Sequence, residues 1–189
     1  MNVNGVGTVS DTIAGINHVV SKCNGVSGDL CVANISLGKV AYNEAFNMAV
    51  NNAVTKGVVM VVAAGNDNQD ACTFSPSSAI SAITVGSTTI DDVRSSFSNW
   101  GSCVDVYAPG TDITSSWYTS PTATATYSGT SMASPRKLSF IVDVCCHFSI
   151  NASYLTLTPN ADLLEMLLVS PPLFDRQIHP GILLKFGMP

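Results

Sequence analysis

Ser131 lies in the run Gly129-Thr130-Ser131-Met132-Ala133-Ser134-Pro135, a serine among small residues where a loop can turn into a helix. A hydroxyl becomes a useful nucleophile only when a base takes its proton, and a helix N-terminus behind it favours developing negative charge. A second candidate is Asn66, which follows the apolar run Val58-Val59-Met60-Val61-Val62-Ala63-Ala64 in the turn Gly65-Asn66-Asp67-Asn68. An amide at the carboxyl end of such a strand can donate a hydrogen bond to an oxyanion. The obvious bases are less promising. His18 falls inside an amphipathic helical pattern, His147 and His179 fall near the end of the chain, and none carries flanking residues that would aim it at Ser131. Asp11, Asp29, Asp91, Asp92 and Asp112 read as surface, cap or turn residues.

The elements that must hold these residues alternate helix and strand. Ile13, Ile16, Val19 and Val20 recur at helical spacing, predicting a helix over 8–23 with Thr8 or Ser10 as cap. Residues 31–37 are β-rich and end at Gly38. Residues 39–56 set Ala41, Ala45, Phe46, Ala49, Val50 and Ala53 on one helical stripe that closes at Lys56-Gly57. The unbroken apolar run 58–64 is the pattern of a parallel strand covered on both faces. With it, strand, helix and strand make a βαβ unit. Further strands are expected over 82–85, 104–107 and 113–117, giving a three-layer α/β fold with a mostly parallel sheet. After Pro135 the pattern changes. Residues 136–150 are too short and too polar to span a bilayer, and the Leu- and Pro-rich remainder offers one short helix over 161–168 and no chemistry.

With 189 residues and 46% hydrophobic composition, one folded domain is expected. A net charge of −5 disfavours nucleic acid and anionic membranes as partners, and a monomer is expected. The front of the chain is polar and glycine-rich, unlike a secretory signal. No C-x-x-C spacing occurs among Cys23, Cys31, Cys72, Cys103, Cys145 and Cys146, which disfavours a metal cluster. Cys23 and Cys31 either close a short loop or remain buried thiols. Two sequons occur: Asn34-Ile35-Ser36, on an expected buried strand, and the more accessible Asn151-Ala152-Ser153.

The heptapeptide around Ser131, with Tyr127-Ser128 before it, resembles the nucleophile segment of the subtilisin-like serine proteases, in particular the secreted proteinase K and aqualysin branch. Ala63-Ala64-Gly65-Asn66 and Ser36-Leu37-Gly38 resemble two further segments of that family, over roughly residues 4–135. The resemblance implies a serine endopeptidase, hydrolysing polypeptides outside the cell through an acyl-enzyme. Ser131 would be the nucleophile. Asn66 and the Ser131 N–H would form the oxyanion hole. Ser36-Leu37-Gly38 would pair with an extended substrate, and Ala64 and Gly65 would line the facing wall of the specificity pocket. It further implies a Cys72–Cys103 disulfide, and a structural calcium held by the carbonyls of Ile80 and Ala82 with Asp105; no organic cofactor is implied.

Two departures from the family pattern shape the expectation. Neither the family's D-[ST]-G aspartate nor its H-G-[TS]-x-V-A histidine occurs in these 189 residues, and Arg136-Lys137-Leu138 replaces the expected H-V-A-G after Pro135. Residues 1–135 then read as the C-terminal part of a peptidase domain, present as a partial domain. Residues 136–189 read as an unrelated tail from mis-splicing or a frameshift. Such a fragment is expected to show little or no turnover. The alternative is a non-catalytic peptide-binding protein derived from the family.

Overall fold

A computed structural model describes residues 7–23, 29–37, 40–147 and 151–157. The predicted helix over 161–168, His179 and Gly38 lie outside them. Helix α1 (Val9–Cys23) starts from a reciprocal cap. Asp11 N–H donates to Thr8 Oγ1 (3.1 Å), while Thr8 N–H and its hydroxyl donate to Asp11 Oδ2 (3.0 and 2.9 Å). Those two donors hold the Asp11 carboxyl below its ordinary range.

Strand β1 (Asp29–Ile35) follows, then the two-residue β2 (Val40–Ala41) and helix α2 (Glu44–Thr55). The helix expected over 39–56 therefore begins five residues later. Val40 and Ala41 pair antiparallel with β4 (Phe74–Ser75), and Asn43 turns the chain by accepting Phe46 N–H at 3.0 Å as the helix cap. Gly57, at φ +90, ends α2 as its sequence suggests.

Strands β3 (Val58–Ala63), β5 (Ile83–Thr88) and β6 (Val106–Pro109) join β1 in a sheet of order β6-β5-β3-β1-β9, with every pairing parallel. Strand β9 (Asn151–Leu157) comes from the region for which no strand was expected. A separate antiparallel hairpin is formed by β7 (Ile113–Ser116) and β8 (Thr124–Tyr127). The polar run Thr124-Ala125-Thr126 gave no strand signal, and pairing with β7 supplies its order.

Because side chains alternate across a strand, the sheet separates two cores. Cys31, Ala33, Ile35, Val58, Met60 and Val62 face α1 and α2, packing on Ile16, Val19, Phe46 and Val50. Val32, Val61, Val85 and Ala108 face Ala133 and Leu138 of helix α3 (Thr130–His147). This is the expected three-layer α/β arrangement. Disulfides Cys23–Cys31 and Cys72–Cys103 are both formed; the first ties α1 to β1. No described helix is long and apolar enough to cross a membrane.

Candidate active site at the carboxyl edge of the sheet

The carboxyl ends of β1 and β3 and the N-terminus of α3 meet at one place. Ser131 is the second residue of α3, 8% exposed, and its Oγ–H donates to the Ser36 carbonyl at 3.4 Å. Pro135 explains the next contact. An α-helical carbonyl normally accepts from the N–H four residues on, but proline has none, so the Ser131 carbonyl is left open. Ser36 Oγ donates to it at 3.1 Å. Ser36 Oγ is also 2.8 Å from Ser134 Oγ and receives Asn34 Nδ2 at 2.7 Å. Ser36 is thus buried at 3% exposure, and its hydroxyl stitches β1 to the first turn of α3. Its neighbour Leu37 is half-buried.

Asn66 is fixed from the other side. Its Oδ1 accepts both Thr130 N–H (2.8 Å) and Thr130 Oγ1–H (2.9 Å), while Thr130 Oγ1 accepts Gly65 N–H (3.1 Å). With its oxygen committed twice, the amide can turn only its Nδ2 toward the site. The position that a Cβ on Gly129 would take lies 3.5 Å from Asn66 Nδ2 and 3.7 Å from Ser131 N. Asn66 Nδ2 and Ser131 N thus both lie within 4 Å of one point beside Gly129, as does Met132 Sδ at 3.5 Å. Ala64 is buried beneath this loop, and Gly65 holds φ +100.

The structure thus brings Ser131, Asn66, Ser36, Ala64 and Gly65 together. It brings no base to them among the described residues. His18 is exposed on α1, across the sheet from α3. Asp112, set aside as a turn residue, accepts Ser128 Oγ–H at 3.2 Å just before the Ser131 turn, at φ +54.

The residues expected to hold calcium lie near the start of β5. Asp105 N–H donates to the Thr84 carbonyl (3.0 Å), and Thr84 N–H donates to Asp105 Oδ2 (2.8 Å). This places an exposed carboxylate two residues along from buried Ala82, beside the turn carrying the 91% exposed Ile80. The donor set is oxygen only, which suits calcium over softer metals.

Sequence reasoning missed Thr130, Ser134 and Asn34. Ser36 was singled out for another role, and its bond to the Ser131 carbonyl had a legible signal of its own: a proline four residues after the serine leaves a carbonyl that something must satisfy.

Residues 1–136 match the family model described as the subtilase family. The extracellular serine proteinase of Thermus sp. (strain Rt41A) is 54% identical over 135 residues, covering 71% of this chain and 32% of that protein. The subtilisin-like proteinase Spm1 of Pyricularia oryzae is 44% identical over 171 residues, covering 84% of this chain and 30% of that protein. Among solved structures, that of a cold-adapted subtilisin-like serine proteinase matches with a TM-score of 0.68 and 46% identity over 75% of this chain and 50% of that one. The chain spans about a third of the relatives' lengths.

Proposed function

Because the chain belongs to the subtilase family, we propose that it carries the nucleophile and oxyanion half of an extracellular serine endopeptidase acting on polypeptides. The observation that carries this reading is the convergence of Asn66 Nδ2 and Ser131 N on the space above Gly129. Ser131 Oγ would attack the scissile carbonyl. The oxygen that becomes negative would sit between those two N–H groups, where the N-terminus of α3 adds a favourable field. Removing one such donor costs roughly 10²–10³ in rate. Ser36, Leu37 and Gly38 would offer their strand end to the substrate backbone, and Ala64 and Gly65 would line the facing wall.

The reaction also needs a base within hydrogen-bond reach of Ser131 Oγ. In this chain that hydroxyl donates to a backbone carbonyl instead. The 189 residues alone should therefore hydrolyse peptides hardly at all, retaining at best about 10³–10⁴ over water from the oxyanion donors and binding. The same observation favours the second reading, a peptide-binding protein that keeps the substrate strand without hydrolysis. Residues 136–189 are assigned no chemistry; the family match ends at residue 136, inside α3. Calcium, held by Ile80, Ala82 and Asp105, would supply a charged cross-link between the 79–82 turn and the start of β6, outside the reaction itself.

A fluorophosphonate probe tests the proposal. The purified chain should label at Ser131 no faster than a surface serine, and rapid labelling would overturn the claim of inactivity. Binding of extended peptides that survives Ser131→Ala would favour the binding protein over the broken enzyme.

A further inference from the structure

Asn66 can serve as an oxyanion donor only if its Cα is held in place, yet it sits in a loop with no regular structure to hold it. The chain leaves β3 at Ala63, takes φ +100 at Gly65 and φ +50 at Asn68, and no strand or helix covers residues 64–69. The backbone polar groups of that segment still need partners. Four of them find the same residue. Asn99 is fully buried, and its Nδ2 donates to the Ala64 carbonyl at 2.9 Å. Its Oδ1 accepts both Asp67 N–H (2.9 Å) and Gln69 N–H (3.0 Å), and its own N–H donates to the Gly65 carbonyl at 2.9 Å. These four bonds bracket Asn66, two before it and two after.

We infer that Asn99 is the positioning residue for Asn66, and with it for the wall formed by Ala64 and Gly65. The inference rests on the oxyanion reading above. The chemistry selects asparagine, because one short side chain must donate on one side of the loop and accept twice on the other. Aspartate keeps both acceptances but cannot donate to Ala64, and it buries a charge. Serine is too short to reach either side. The fit also constrains residue 65, since a Cβ there would collide with Asn99 Nδ2. Thr130 then fixes which way the Asn66 amide faces, and Asn99 fixes where it stands.

The test uses the full chain labelled with nitrogen-15, comparing wild type with Asn99→Ser and Asn99→Asp. The Asp67 and Gln69 amides should exchange with solvent roughly 10–100-fold faster in Asn99→Ser, the scale of losing a buried hydrogen-bond partner, and less so in Asn99→Asp. The decisive readout is the Asn66 side-chain amide signal, which should move in both variants while amide protection in β3 and β5 persists. An unmoved Asn66 signal beside faster exchange at Asp67 and Gln69 would leave Asn99 a purely structural residue and overturn the inference. Should both variants unfold, Asn99→Gln supplies the perturbation: one added methylene moves the same amide off its partners without altering its chemistry, and the same Asn66 shift is expected. A saturating peptide that ends in a free carboxylate, which needs no reaction at Ser131 to offer its oxygens to the two N–H groups, separates the two levels when added to the wild type. If it leaves the Asn66 signal untouched, the oxyanion reading fails, whatever the Asn99 variants show.

Discussion

Thr130→Val removes one oxygen and almost nothing else, and that oxygen ties the N-terminus of α3 to the Asn66 loop. Valine keeps the β-branched shape at a fully buried position. It loses the donation to Asn66 Oδ1 and leaves Gly65 N–H without its acceptor. A buried hydrogen bond contributes about 0.5–1.5 kcal/mol net, and a partly buried N–H left unpaired costs about 1–3 kcal/mol. Together the loss should be about 2–4 kcal/mol, a large share of the roughly 5–15 kcal/mol that holds a domain together. Asn66 Oδ1 keeps its bond from Thr130 N–H, so the amide is held by one bond where it had two. Urea unfolding of the 189-residue chain measures the effect as a lower midpoint at unchanged slope. Thr130→Ser is the control: it keeps the oxygen and should fall within about 1 kcal/mol of the wild type. A valine variant within about 0.5 kcal/mol of wild type would refute the clamp. A serine variant losing as much as valine would refute it too, by assigning the effect to the methyl group.

Phe46→Ala should cost about 3–5 kcal/mol, because Phe46 is 1% exposed in the core between α2 and the sheet; a loss below about 1 kcal/mol in the same urea assay would mean that this core is not packed as described. If calcium binds at Ile80, Ala82 and Asp105, saturating metal at a hundredfold over Kd should add about 2.7 kcal/mol, and a chelator should lower the melting temperature of wild type but not of Asp105→Asn. Equal chelator sensitivity in the two proteins would remove Asp105 from the site.

The parallel strands were legible because unbroken apolar runs such as Val58 to Ala64 have few other uses in a chain of this size. The start of α2 was not. The apolar stripe over 41–53 fits a helix beginning at residue 39, and only the long-range pairing of Val40 with Ser75 shows that the chain is extended there. Ser131 and Asn66 were legible as residue types at the end of a strand and the start of a helix. What orients them was not, since Thr130, Ser134 and Asn99 act through contacts between segments 30 to 98 residues apart. Such contacts leave no periodic trace.

On the proposed reading, these contacts also bear on why the oxyanion donors would persist where the described residues bring no base beside Ser131. The direction of the Asn66 amide depends on Thr130, the packing of the first turn of α3 depends on Ser36 filling the carbonyl that Pro135 leaves open, and the loop depends on Asn99. Each of these bonds satisfies a buried polar group, so each contributes to stability whether or not a substrate is ever cleaved. On the proposed reading, the two halves of the active site therefore differ in kind. The oxyanion half is built from bonds that the fold needs in any case, and it cannot relax without a cost of the size estimated for Thr130→Val. A base would be held by contacts of its own, and its absence leaves those bonds intact. A chain of this kind can lose turnover while keeping the geometry that binds a polypeptide carbonyl, and this is why peptide affinity and serine reactivity have to be measured separately.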